Sequence, residues 1–236
     1  MNLILLTPSD MVSNDTVSLN GRRLKHVLEI LKPKEGDTLT VGMEGGMVGT
    51  GRVISFDARS LTMRVSLTEA PPEKIPVILC IALMRPIVLK RVLLTAASMG
   101  VAEIVLFHSR QVEKSFWQST SLAADEIREQ IVLGIEQGKD TVLPKVSFHK
   151  RFKPFVEDVL PGLLKGRAGY VADPSGEPIS SGVSREPAVV LIGPEGGFIP
   201  YEVEKCREAG CRVLGLGSRI LKVETAMVTV LSRFIV

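Results

Sequence analysis

Apolar positions in the first seventy residues fall into short runs split by turn-formers. Leu3–Leu6, Thr38–Val41, Gly51–Phe56 and Leu61–Leu67 are apolar throughout or alternate with a period of two, which predicts strands. Lys34-Glu35-Gly36-Asp37 and Glu44-Gly45-Gly46 punctuate them as turns. Between the first two runs, Leu24, Val27, Leu28 and Leu31 recur at helical spacing, so residues 21–31 read as an amphipathic helix. Its other face carries Arg22, Arg23, Lys25 and His26. The pattern predicts a small β-barrel with one helix. Met1 to Pro8 is apolar, but it has no basic start and is far too short to span a bilayer; it reads as a buried strand.

Three prolines in Pro71-Pro72-Glu73-Lys74-Ile75-Pro76 mark a break, because proline removes backbone donors and stiffens the chain. The break predicts one domain over residues 1–70 and another over 74–236. In the second, strands at 77–83, 101–107, 145–148, 169–172, 188–192 and 211–214 alternate with helices at 87–99, 122–137, 200–209 and 225–236. Gly100 and Gly210 stand where helix ends favour glycine, and Pro200 stands at a first helical turn. Strands alternating with helices predict an α/β fold with a mainly parallel sheet.

Composition narrows the class. With 45% hydrophobic and 23% charged residues, the 236-residue chain has enough apolar material for a core without staples. Its three cysteines form no C-x-x-C and its three histidines are scattered, so neither a disulfide framework nor a metal site is predicted. The net charge of +3 resides wholly after residue 72, since residues 1–72 hold eight basic and eight acidic residues. That permits a nucleic-acid partner without requiring one. No targeting segment is read, so a cytoplasmic protein is expected.

Two glycine-rich loops carry the chemical signal. Gly193-Pro194-Glu195-Gly196-Gly197-Phe198 follows one predicted strand, and Gly215-Leu216-Gly217-Ser218-Arg219-Ile220-Leu221 follows another. Ligands of open parallel sheets sit beyond the carboxyl ends of strands, and glycine lets backbone approach them. If the two strands are neighbours, both loops open onto one crevice. The chain has no G-x-x-x-x-G-K-[ST] phosphate loop. The second loop begins like a dinucleotide fingerprint, but Ile220 fills the position that needs a small residue. Only sixteen residues follow it, against the about 30 of a βαβ unit. A nucleoside-like ligand without phosphates, held by backbone groups, stays open.

These residues resemble a known family. Leu191 to Phe198, followed by Tyr201-Glu202-Val203-Glu204 and by Leu216 to Ala226, is similar to the RsmE-like 16S ribosomal RNA uridine N3-methyltransferases. Ala97-Ser98-Met99-Gly100-Val101 and Glu136-Gln137 extend the likeness, while Ser218, Lys222 and Val223 replace the family's usual proline, arginine and threonine. The resemblance implies an N-terminal PUA-like β-barrel and a C-terminal SPOUT α/β domain with a trefoil knot, acting as a homodimer. It implies S-adenosylmethionine as cofactor, with 16S rRNA of the 30S subunit as partner and no metal or membrane. Leu191, Ile192, Gly193, Gly196 and Gly197 would wrap the cofactor from one side. Leu214, Leu216, Ser218, Ile220 and Leu221 would do so from the other, with Thr225 capping the last helix and closing the pocket.

Within that frame the catalytic candidates are Arg219 and Glu195. Uracil N3 is a poor nucleophile until it loses its proton, so a cation stabilising the ring anion, or a base taking the proton, lowers the barrier. Arg219 could instead pair with Glu224, and Glu195 could instead accept backbone N–H bonds. RNA phosphates would be met by Arg22, Arg23, Lys25, Arg85, Lys90, Arg91, Lys150 and Arg151. Two alternatives stay open: methylation of another RNA target (a ribose 2′-O or guanine N1), and a non-catalytic ribosome-assembly factor.

Overall fold

The computed structural model describes residues 2–179 and 186–235. Met1 and Val236, at the ends of the predicted first strand and last helix, lie outside the described residues. Two compact units emerge, one of residues 2–73 with Val132–Leu143, the other of Lys74–Ile131 with residues 144–235.

The first unit is a curled five-stranded sheet of β1 (Ile4–Leu6), β2 (Thr16–Leu19), β3 (Thr38–Met43), β4 (Val48–Phe56) and β5 (Leu61–Glu69), in the order β1-β3-β4-β5-β2. β1 lies parallel to β3, and the other pairs are antiparallel. Alternation along β4 and β5 sends Val53, Leu61, Met63 and Val65 inward, and every strand contributes to one core with Leu24 and Val27. Those last two come from α1 (Gly21–His26) and the wider helical turn Val27–Leu31, which stops at Lys32 in a left-handed conformation ahead of Pro33. β2 is not evident in the sequence pattern. It is four residues long with only Val17 and Leu19 inward, too short for its period to stand out.

The first unit also takes in Val132–Leu143, a segment that the sequence pattern groups with the second domain. Glu136 is the reason. Its backbone carbonyl accepts from the amides of Asn2 and Leu3, and its fully buried carboxylate accepts from Leu5 N at 3.2 Å and Arg22 Nη2 at 2.9 Å. Thr141 completes the seam by donating from Oγ1 to Gly46 O and accepting from Gly45 N. Beside it, Arg23 grips both oxygens of Asp10 at 2.6 and 2.7 Å. Burial alone would raise the Asp10 pKa, but the bonds from Arg23 and Thr7 outweigh it and hold the carboxyl below its usual range.

The second unit is a six-stranded sheet of β6 (Ile75–Ala82), β7 (Val101–Phe107), β8 (Lys145–His149), β9 (Ala168–Pro178), β10 (Ala188–Ile192) and β11 (Cys211–Gly215), ordered β11-β9-β10-β6-β7-β8. All its pairings are parallel. β6 and β10 are buried nearly end to end, as strands covered on both faces must be. The crossovers include α2 (Pro86–Ser98), α3 (Ala124–Gly138), α6 (Pro200–Glu208) and, after the last strand, α7 (Val223–Leu231). Between β8 and β9 the chain forms α4 (Phe152–Pro154), a wider helical turn at Phe155–Val159 and α5 (Leu160–Leu163). That helical stretch goes unpredicted because Pro154, Pro161 and Gly162 interrupt its pattern.

The last helix corrects its predicted bounds: it begins at Val223, with Lys222 at the cap, and ends at Leu231. Thr225 therefore sits inside the first turn and caps nothing. Cys80, Cys206 and Cys211 are buried, and burial pushes the Cys211 thiol up to about 12, so none is a nucleophile at neutral pH. No helix among the described residues is long and apolar enough to cross a membrane.

Removing Arg22 leaves the Glu136 carboxylate buried with only the Leu5 amide as a donor. Because Arg22 is itself 40% exposed, solvent tempers the loss, and Arg22→Ala is expected to destabilise the protein by about 2 kcal/mol. Urea unfolding should show a lower midpoint; an unchanged midpoint would mean that water replaces Arg22 without penalty.

Candidate functional site

β10 ends at Ile192 and β11 at Gly215, and a glycine-rich loop follows each. The two strands are not neighbours, contrary to the condition set by the sequence reading: β9 lies between them. Their loops line one cavity nevertheless, because the ladder between β11 and β9 shifts register at that level. Val213 of β11 pairs with Val171, but the next residue, Leu214, pairs with Glu177. The segment from Ala172 to Gly176 is thus left outside the β11 ladder while β11 advances by one residue. Gly176 and Gly215 make this possible. A methyl group added to Gly176 would lie 2.6 Å from the main-chain carbons of Val213 and Leu214, and one added to Gly215 would lie 2.6 Å from Gly176 O.

Three segments therefore enclose one cavity of about 460 Å³. Ala172, Asp173, Pro174 and Ser175 form one wall, residues 192–198 a second, and Leu216, Gly217, Arg219, Ile220 and Leu221 a third, with Val223 and Ala226 of α7 beneath. Of the residues expected to wrap a ligand, Ile192, Gly193, Gly196, Gly197, Leu216, Ile220 and Leu221 share this lining with both Arg219 and Glu195. Leu191 and Leu214 are packed in their strands, while Ser218 and Thr225 are exposed outside the lining. The wall at Asp173 is absent from the sequence reading. Its signal, an Asp-Pro-Ser-Gly turn tetrapeptide directly after an apolar strand, was present.

The first loop is held rigidly. Gly197 takes φ +73° and donates to Pro194 O, closing a turn that returns the chain over Gly193. Glu202, almost fully buried, accepts from Ile199 N at 3.1 Å and Arg110 N at 2.8 Å, tying the loop's end to the segment after β7. Phe198 stacks on Phe107, which stacks on Phe155. Glu195 Oε1 accepts from Arg85 N at 3.2 Å, which is the loop-stabilising contact weighed from the sequence.

The second loop is exposed from Gly217 to Ile220, and Ile220 is 85% exposed although it lines the cavity. The alternative pairing of Arg219 with Glu224 does not occur: Glu224 is taken by Arg91 at 2.8 Å, and Arg219 makes no ion pair among the described residues. Of the candidate RNA-binding residues, Arg22, Arg23, Lys90 and Arg91 are engaged with Glu136, Asp10, Glu126 and Glu224. Lys25, Arg85, Lys150 and Arg151 are exposed and make no side-chain ion pair among the described residues.

Next to the first loop's anchor, Trp117 Nε1 donates to His108 Nδ1 at 3.0 Å, while the His108 amide donates to His149 O. An imidazole that accepts at Nδ1 must be neutral there, and burial holds the His108 pKa below 6.5 despite the attraction of Glu202. The folded state thus binds the proton less readily than the unfolded chain. The stability it contributes is present above pH 6.5 and is lost as pH falls through the lowered folded value. Trp117 is the chain's one tryptophan, so its emission reports this bond directly. The fluorescence change is expected with a midpoint below pH 6.5, and His108→Gln should abolish it; a transition that persists in the variant would assign it elsewhere.

The comparisons with known proteins agree with this geometry. A model of the RNA methyltransferase domain matches residues 71–235. Ribosomal RNA small subunit methyltransferase E 1 of Borreliella burgdorferi is 25% identical over 229 residues, covering 97% of this chain and 94% of that protein. Ribosomal RNA small subunit methyltransferase E of Bacillus subtilis is 24% identical, covering 97% and 93%. A methyltransferase of Legionella pneumophila, solved with bound SAM, superposes with a TM-score of 0.75 at 22% identity, covering 99% of this chain and 96% of that one. Ribosomal RNA small subunit methyltransferase E of Neisseria gonorrhoeae, solved with S-adenosyl methionine, gives 0.74 at 18% identity, covering 98% and 95%. With a fold shared along the whole chain and a family model spanning most of it, this protein belongs to the RNA methyltransferase family.

Proposed function

We propose that this protein uses S-adenosylmethionine to methylate N3 of one uridine in 16S rRNA of the small ribosomal subunit, in the cytoplasm. The observation that carries the reading is the single cavity enclosed by the two glycine loops and the outlooped segment of β9. Its volume suits a cofactor of this size, within the roughly 300–1,000 Å³ of ligand pockets. Its walls are mostly main chain and apolar side chains, with Asp173 and Glu195 as the acids and Arg219 as the one basic residue lining it, a poor match for a polyphosphate and a good one for a phosphate-free nucleoside. The names of the relatives supply the ribosomal target.

On the same reading the second unit is of the SPOUT type with a knotted chain, the first is a PUA-like RNA-binding barrel, and two copies pair as a homodimer. The position of β9 between β10 and β11 supports a threaded path, and the one core shared by all five strands of the first unit supports a barrel. Lys25, Arg85, Lys150 and Arg151, exposed and without a side-chain ion pair among the described residues, are the residues best placed to meet RNA phosphates.

S-adenosylmethionine supplies a methyl group already activated on a sulfonium, so this chain's task is to position a base and to manage charge and proton. Arg219, exposed at the cavity and without an ion pair among the described residues, is placed to stabilise the negative charge that spreads onto a uracil oxygen as N3 loses its proton. Glu195 spends one oxygen on the Arg85 amide and keeps the other for a proton or a water.

Purified protein incubated with unmodified 30S particles and methyl-labelled cofactor should place label on N3 of a uridine. Label on a ribose 2′-oxygen or a guanine would redirect the target within the same family, and no label at saturating cofactor would favour an assembly factor. Arg219→Ala is expected to keep cofactor affinity in calorimetry while turnover falls about 100-fold. Unchanged turnover would remove Arg219 from the reaction.

A further inference from the structure

Three charged residues line the cavity: Asp173 on the β9 segment, Glu195 on the first loop and Arg219 on the second. Two have been accounted for. Glu195 accepts the Arg85 amide, and Arg219 lies exposed on the outer loop. Asp173 has neither role. Because β9 lies between β10 and β11, the segment that carries it rises between the two glycine loops, and Asp173 is half-buried there. Its Oδ1 accepts from Ser175 N at 2.9 Å and Ser175 Oγ at 2.6 Å, which fixes the carboxylate in place. No partner engages Oδ2 among the described residues. A carboxylate held on one oxygen and open on the other, in the wall of a mainly apolar cavity, calls for a cation that enters with the ligand.

The methyl donor brings two cations and one anion: a sulfonium, an α-ammonium and a carboxylate. With Arg219 left for the base and Glu195 for its proton, Asp173 is the acid in the lining that remains for one of the donor's cations. Resting on the reading of this cavity as the donor site, we infer that Asp173 binds the α-ammonium group. The sulfonium is the poorer match for two reasons. It offers no N–H to a carboxylate, whereas an ammonium offers three donors. The sulfonium charge also disappears as the methyl leaves, so an acid fixed against it would stabilise the starting state more than the transition state. The ammonium is unchanged by the reaction and can be held tightly throughout.

Asp173→Asn isolates the charge, because asparagine's carbonyl oxygen can still accept from both Ser175 donors. Calorimetry would compare three ligands on wild type and variant: S-adenosylmethionine, S-adenosylhomocysteine, which keeps the ammonium without the sulfonium, and 5′-methylthioadenosine, which has neither. The expected result is about tenfold weaker binding of the first two and unchanged binding of the third. Unchanged affinity for all three would overturn the assignment. Equal weakening of all three would also overturn it, by showing a collapsed wall. Weakening confined to S-adenosylmethionine would overturn it in favour of the sulfonium. Failure of the wild type to bind any of the three would instead overturn the cavity's reading as a donor site, an outcome distinct from the others.

Discussion

Main-chain contact between Gly176 and Gly215 is the constraint on which the site depends. A parallel ladder keeps its partners in step, residue for residue, unless something interrupts it. Here β11 advances one residue while the run from Ala172 to Gly176 is expelled from its ladder, and the two backbones close again at a distance that excludes any Cβ. The expelled residues become a wall, and the space between them and the flanking loops becomes the cavity. A side chain at either glycine would push the strands apart and remove the geometry that sets both loops over one floor.

A pocket built on backbone contacts places few demands on the side chains around it. Ser218, where the resemblance implies proline, is exposed and outside the lining. Lys222 occupies the cap of α7 in an extended conformation without a side-chain capping bond, so the residue type there is not held by the helix. Val223, by contrast, is buried beneath the cavity at the first helical position, where a small β-branched residue preserves the shape that threonine would give. The departures fall where the main chain carries the contact or where bulk, not chemistry, matters.

Much of this was legible in the chain because hydrophobic period reports burial directly. The buried runs of β6, β7 and β10, and the glycine at the end of α2, are local signals with local causes. What escaped was non-local. Nothing near Gly169 indicates that its strand inserts between two strands that follow it in sequence, so the sequence locates both glycine loops but leaves open which strands flank them. Asp173 was hidden for the same reason: a turn after a strand is an ordinary feature until the ladder beside it is known to skip. The helical stretch from Phe152 was hidden differently, by two prolines and a glycine whose local preferences packing overrides.

The basic residues show where sequence stops distinguishing structure from recognition. Arg22 and Arg23 sit side by side on one helix, and the sequence presents them as one polar face. Arg23 is fastened to buried Asp10 and to the Leu5 carbonyl, and Arg22 to Glu136, which no local pattern connects to residue 22. Mutating either would therefore weaken the fold itself, so any loss of activity has to be read against a measurement of stability. Lys25, one turn further on and without a partner among the described residues, carries no such ambiguity. A surface cation with no internal partner can neutralise a phosphate without first breaking an ion pair within the protein, so its full electrostatic attraction remains for the nucleic acid. Among adjacent basic residues, freedom from internal pairing, more than position on the helix, decides which charge is left for an anionic partner.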